Sequence, residues 1–180
     1  MKKILLALML VILFAVPAYG LGSCTQTVKT SYTPQDRVAD AVTAIVTITC
    51  IADSGGSATF PTATIALLPS TTTNPPYNLY GYYLYQVGRT PGNVSSSQLT
   101  CSVACPTTLY TVTITDTQGY AIDLGLLTSN GSASVAQLTL MENTATGYPV
   151  IRSAPTVAIT GNGATNYSAT VTLDLIFKAR

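Results

Sequence analysis

The chain has 180 residues, of which only eight are Lys or Arg and seven Asp or Glu, and it contains no His and no Trp. Charged residues make up 8% of the chain, against about 25% in an ordinary globular domain, while 47% are hydrophobic, enough to build a core. The missing His excludes Ser-His-Asp triads, Cys-His dyads and most zinc sites. Polar character comes instead from 30 Thr and 14 Ser.

Met1-Lys2-Lys3 is followed by an unbroken apolar run from Ile4 to Val16, then Pro17 and small residues. That order is the n-region, h-region and cleavage region of a secretory signal peptide. The run of 13 residues falls short of the about 20 that span a bilayer. Cleavage is expected after Gly20, with Ala18 as the other site, leaving residues 21–180 as one β domain. A second reading is a lipobox at Leu21-Gly22-Ser23-Cys24, which would make the protein an envelope lipoprotein lipidated at Cys24. It would leave an odd number of cysteines in an oxidising compartment. Without residues 1–20, six basic and seven acidic residues remain, for a net charge of −1. No basic patch exists to hold nucleic acid or to adhere to anionic lipid.

Cys24, Cys50, Cys101 and Cys105 all lie beyond the signal segment. An even count in an exported chain reads as two disulfides, with three connectivities open. The favoured pairing is Cys24–Cys50, stapling the first strand to the second, with Cys101–Cys105 as a local loop. The C-x-x-x-C spacing does not match a redox motif.

The rest of the chain reads as strands, rich in Thr, Val, Ile and Tyr. In chain order they are Thr25–Tyr32, Ala41–Ile51, Thr59–Leu68, Leu79–Val87, Thr108–Thr115, Tyr120–Leu127, Pro155–Thr160 and Tyr167–Phe177. A short helix is expected near Ser134–Met141. The last strand is the clearest, with Tyr167, Ala169, Val171, Leu173, Leu175 and Phe177 on one face and Ser168, Thr170, Thr172, Asp174 and Ile176 on the other. Its expected hairpin partner is Pro155–Thr160, across the turn Gly161–Asn166. Ala44, Val46, Ile48 and Cys50 alternate in the same way. Seven to nine short strands with regular turns predict an antiparallel β-sandwich, Ig-like or jelly-roll-like, after an N-terminal signal helix.

The densest unusual feature is YNLYGYYLY, which places Tyr77, Tyr80, Tyr82, Tyr83 and Tyr85 within nine residues. Alternation predicts Tyr83 and Tyr85 on one face of a strand and Tyr80 and Tyr82 on the other. Tyrosines suit a strand interior, and they also supply flat rings and hydroxyls for stacking on sugars or docking a partner. Asp116 and Asp123 flank one turn. They lack the dense oxygen pattern of a Ca²⁺ loop, and Asp116 is expected to cap the turn with its own side chain. With one Glu in the chain, no carboxylate pair for glycosidase chemistry can be nominated. Asn93, Asn130 and Asn166 fit the glycosylation sequon but read as turn residues.

The stretch from Tyr110 to Phe177 resembles small uncharacterised β-sandwich proteins of phage structural gene clusters. The matching pieces are Tyr110–Asp116, Gly119, Asp123–Leu127, Asn130 with Ser132 and Ser134, Tyr148–Val150, Val157–Ile159 and Ser168–Thr170. The resemblance implies a β-sandwich with a structural or assembly role and offers no catalytic residues. The signal segment and the cysteines depart from that pattern. The functional expectation is therefore a non-enzymatic, exported interaction protein without a cofactor, working by self-assembly or through a protein partner. The alternative is a glycan- or ligand-binding module built on the tyrosines.

Overall fold

The computed structural model describes residues 21–32, 42–55, 58–67, 78–92, 104–106, 110–127, 137–142, 147–163 and 167–179. The expected signal helix lies outside them. The described residues form eight strands and no helix: β1 (Ser23–Tyr32), β2 (Val42–Ile51), β3 (Ala63–Thr64), β4 (Tyr83–Pro91), β5 (Thr111–Thr115), β6 (Gln137–Leu140), β7 (Thr156–Thr160) and β8 (Thr170–Lys178). One sheet has five strands in the order β1-β2-β8-β4-β6, and the other has three in the order β3-β7-β5. Every pairing is antiparallel. The expected β-sandwich is the observed fold.

The strict alternation of β2 and β8 sets the core. Ala44, Val46, Ile48 and Cys50 from β2 and Val171, Leu173, Leu175 and Phe177 from β8 are fully buried. Val112, Ile114, Val157 and Ile159 of the smaller sheet join the same cluster. Burying each such side chain contributes about 1.5–3 kcal/mol. Gly22 leads into β1 and donates its backbone N–H to Asp53 Oδ1. A Cβ at Gly22 would lie 2.6 Å from the Ile51 carbonyl oxygen, so only glycine fits where β1 meets the end of β2.

Cys24 and Cys50 face each other in the β1–β2 register and form a disulfide with Cα atoms 4.1 Å apart. That separation belongs to a closely spaced cross-strand pair. Cys105 is also disulfide-bonded, and Cys101 lies outside the described residues.

Four expectations are corrected. Gln137–Leu140, within the segment expected to be a short helix, is strand β6, because pairing with β4 overrides the helix preference of Gln, Leu and Met. Pro155–Thr160 does not form a hairpin with the last strand. It supplies β7, which pairs with β3 and β5 in the other sheet, while β8 pairs with β2 and β4. Within Tyr120–Leu127 only Ala121 makes a bridge, to Thr115, and turns occupy the rest. Among the described residues of Thr59–Leu68, only Ala63 and Thr64 form a strand, β3.

β4 carries a bulge. Leu84 pairs with Phe177 and Gln86 with Ile176, so Tyr85 is the extra residue. Beyond it the inward positions become Val87, Arg89 and Pro91. A bulge of this kind reverses which alternate residues face the core.

Candidate functional site

The structure separates the five tyrosines. Tyr77 lies outside the described residues. Tyr80 sits in a turn before β4, exposed, with its backbone N–H donating to Asn78 Oδ1 at 3.0 Å. Tyr82 is half-buried against the core. Neither belongs to the strand, so they do not form its second tyrosine face. Tyr83 and Tyr85 lie on β4 with the inward Leu84 between them, and they share the outer side as expected.

A third ring completes this group. Residues 147–152 run antiparallel beside the start of β4. Ile151 N donates to Tyr82 O at 2.7 Å, Leu84 N to Pro149 O at 3.0 Å and Gly81 N to Ile151 O at 2.9 Å. Tyr83 bridges to Val150. Pro149 favours extended backbone at the residue before it, and Tyr148 lands beside β4. Its ring stacks on Tyr83 at 5.0 Å between centroids and meets Tyr85 at 5.2 Å with the planes tilted. Lys178 Nζ lies 3.4 Å from the centre of the Tyr85 ring, a cation–π contact. Partial burial and the nearby Glu142 carboxylate hold the Tyr148 hydroxyl above the usual phenol range.

Next to these rings is an open groove of about 640 Å³ lined by Tyr83, Leu124, Gly147, Tyr148, Pro149, Val150 and Arg152. Leu124, which also lines the groove, is in a left-handed conformation, with φ of 53°. That backbone costs energy for a branched side chain and is held by its surroundings. Tyr148 and Arg152 are too far along the chain from YNLYGYYLY to be joined to it by spacing. Only the Tyr-Pro pair hinted at an extended, ring-presenting segment.

The outer face of the five-stranded sheet is the second feature. Register places Lys29, Ile45, Ile176, Gln86 and Leu140 in one row, and Thr27, Thr47, Asp174, Gly88 and Leu138 in the next. A third row runs Thr25, Thr49, Thr172 and Thr90. Thr47 donates to Asp174 Oδ1 at 2.6 Å, and the Thr49 and Thr172 hydroxyls meet at 3.3 Å. Charge is sparse on this face. At its β6 edge Leu138 is 66% and Leu140 49% exposed. Among the described residues β6 pairs only with β4.

The inner side of the same edge holds polar groups. Arg89 is 2% exposed. Its Nη1 donates to Leu127 O at 3.4 Å and its Nη2 to Thr139 Oγ1 at 3.3 Å. Its Nε, the Tyr110 hydroxyl and Gln137 Oε1 are buried without hydrogen-bond partners. Burial lowers the Arg89 guanidinium below the usual arginine range, with Tyr110 opposing. Burial pushes the Tyr110 phenol up to about 12, opposed by Arg89.

Asp116 caps its turn as expected, with Oδ1 accepting from Gln118 N at 2.8 Å and Tyr120 N at 2.9 Å. Asp123 is buried away from it, with Oδ2 unpartnered. Among the described residues no three His, Cys, Asp or Glu side chains cluster as a metal site. Asn93, Asn130 and Asn166 lie outside the described residues.

No family model and no curated protein matches the sequence. Among solved structures, a chain titled "Cyanophage Pam1 capsid asymmetric unit" is similar to this one over 93% of each chain, at 14% identity and a TM-score of 0.35. A likeness at that level assigns no role to any residue of this chain.

Proposed function

We propose that this is an exported, disulfide-stapled β-sandwich that acts without catalysis, as a self-assembling subunit of a surface or extracellular structure. The observation that carries the reading is the β6 edge of the five-stranded sheet. An uncharged edge strand with one side unpaired is a template for another strand. Gln137–Leu140 has no charge and no proline, and its outward Leu138 and Leu140 are exposed. Isolated exposed leucines are ordinary; here two adjoin the low-charge face containing Ile45 and Ile176.

Antiparallel pairing of β6 with β6 of a second copy would extend the sheet across both. Four residues cannot supply the about 1,600 Å² of a stable interface, so the neighbouring outer face has to contribute. The signal segment and the disulfides support export, and the Cys101–Cys105 pairing belongs to the same reading. The lack of a carboxylate pair and of His supports a non-enzymatic role.

Light scattering across a dilution series of the mature chain tests assembly. The parent is expected to associate. Leu138→Asp combined with Leu140→Lys is expected to remain monomeric with the same circular dichroism spectrum. A parent that is monomeric at every concentration sinks the proposal.

A further inference from the structure

We propose that the groove lined by Tyr83, Tyr148, Leu124 and Arg152 binds an anionic sugar unit of a glycan, with the sugar ring against the Tyr148–Tyr83 pair and its acidic group on Arg152. The inference stands apart from the assembly reading, since it uses neither β6 nor the leucines of the outer face.

Three observations carry it. First, the rings are already placed. Tyr83 and Tyr148 stack at 5.0 Å with 28° between planes, and the hydrogen bonds from Gly81, Leu84 and Ile151 fix the segment that bears Tyr148. A preorganised aromatic surface loses little freedom on binding. Lys178 occupies the Tyr85 ring at the far end of the row, which leaves the Tyr148–Tyr83 end facing the groove. Second, about 640 Å³ is in the range of ligand sites, roughly 300–1,000 Å³. An open, partly polar groove suits a ring with one apolar face and a rim of hydroxyls better than a wholly apolar guest. Third, Arg152 is the charged side chain lining the groove. A guanidinium fork meets a carboxylate or phosphate through paired hydrogen bonds. Of the other charges nearby, Lys178 lies over Tyr85 and the Glu142 carboxylate is beside Tyr148; neither lines the groove, where Arg152 is the charged side chain.

Titration calorimetry of the purified protein tests this with three probes: trigalacturonic acid, galactose 6-phosphate and neutral galactotriose. Binding of either anionic probe, with the neutral trisaccharide about tenfold weaker or worse, is expected. Whichever anionic probe binds identifies carboxylate or phosphate as the recognised group. Tyr148→Ala should weaken binding about tenfold or more, while Tyr148→Phe, which keeps the ring, should stay within about threefold. Arg152→Ala should abolish the preference for the anionic probe, and far-ultraviolet circular dichroism should match the parent for all three variants. The proposal is overturned if neither anionic probe binds at millimolar concentration, if the neutral sugar binds equally well, or if Tyr148→Ala and Arg152→Ala bind like the parent. Selective capture of a proline-rich peptide in place of any sugar would overturn it too.

Discussion

Replacing Cys24 and Cys50 together by Ala, with Cys101 and Cys105 left in place, measures how far the β1–β2 staple stabilises the sandwich. The bond spans a sequence separation of 26 residues. In the chain-entropy model, a closed loop of that length removes about 12 cal/mol/K from the unfolded ensemble, which is about 3.5 kcal/mol at 25 °C. A chain of roughly 160 residues unfolds with an entropy of about 340 cal/mol/K near 60 °C, so the thermal midpoint should fall by about 10 °C. Cys50 is buried in the core while Cys24 packs at its margin, and losing the inner sulfur adds to the fall. Urea unfolding followed by circular dichroism separates the two contributions. Release of the cross-link lets the unfolded chain expand, so the slope of free energy against urea should rise as the midpoint drops. A midpoint within about 2 °C of the parent would refute the reasoning. A lower midpoint with an unchanged slope would refute the unfolded-state origin and assign the loss to native packing.

Arg89→Met should leave stability unchanged or raise it by about 1–3 kcal/mol, because a buried guanidinium without a carboxylate costs more than a flexible apolar chain in the same space. Arg89→Ala should lower it by about 2–4 kcal/mol through the cavity; a large loss for Met in chemical denaturation would show that the charge is compensated. Burial raises the Asp123 carboxyl above its usual value, against hydrogen bonds from backbone N–H groups including that of Gly125. A raised folded value means that its contribution to stability is fully present below the unfolded value near pH 4 and is lost as pH rises through the folded one. Asp123→Asn should therefore flatten the stability profile above about pH 4, as read from thermal midpoints across pH, and an unflattened profile would exclude Asp123 as the source.

The strands that could be read from sequence are those whose alternation is unbroken. In β2 and β8 every second residue from Ala44 and from Val171 is buried, and the pattern of apolar and Thr residues shows it directly. β4 was only half legible. Its start has Leu84 inward between two tyrosines, but the bulge at Tyr85 changes the parity, and nothing local announces that Arg89 then points into the core. The helical preference of Ala136, Gln137, Leu138 and Met141 concealed β6, whose strand state depends on a partner far away in sequence. The same applies to the candidate site. Tyr83 and Tyr85 stood out by density, whereas Tyr148 and Arg152 reach them only through backbone pairing between residues 81–84 and 149–151. The cross-strand disulfide was accessible because Cys24 lies near the start and Cys50 near the end of two successive patterned strands. The placement of β7 beside β5 was not, since adjacent elements pair only as a tendency.

The last of the eight strands in chain order, β8, lies between β2 and β4 at the middle of the larger sheet. Until residues 170–178 arrive, the β1–β2 pair and the β4–β6 pair have nothing to join them, and the two halves of that sheet stay apart. Completion therefore waits for contacts between residues more than a hundred positions apart, such as Val46 with Leu175, and non-local closures of this kind are slow. For a chain that is exported, as proposed, that order keeps the larger sheet open until its last residues have been made.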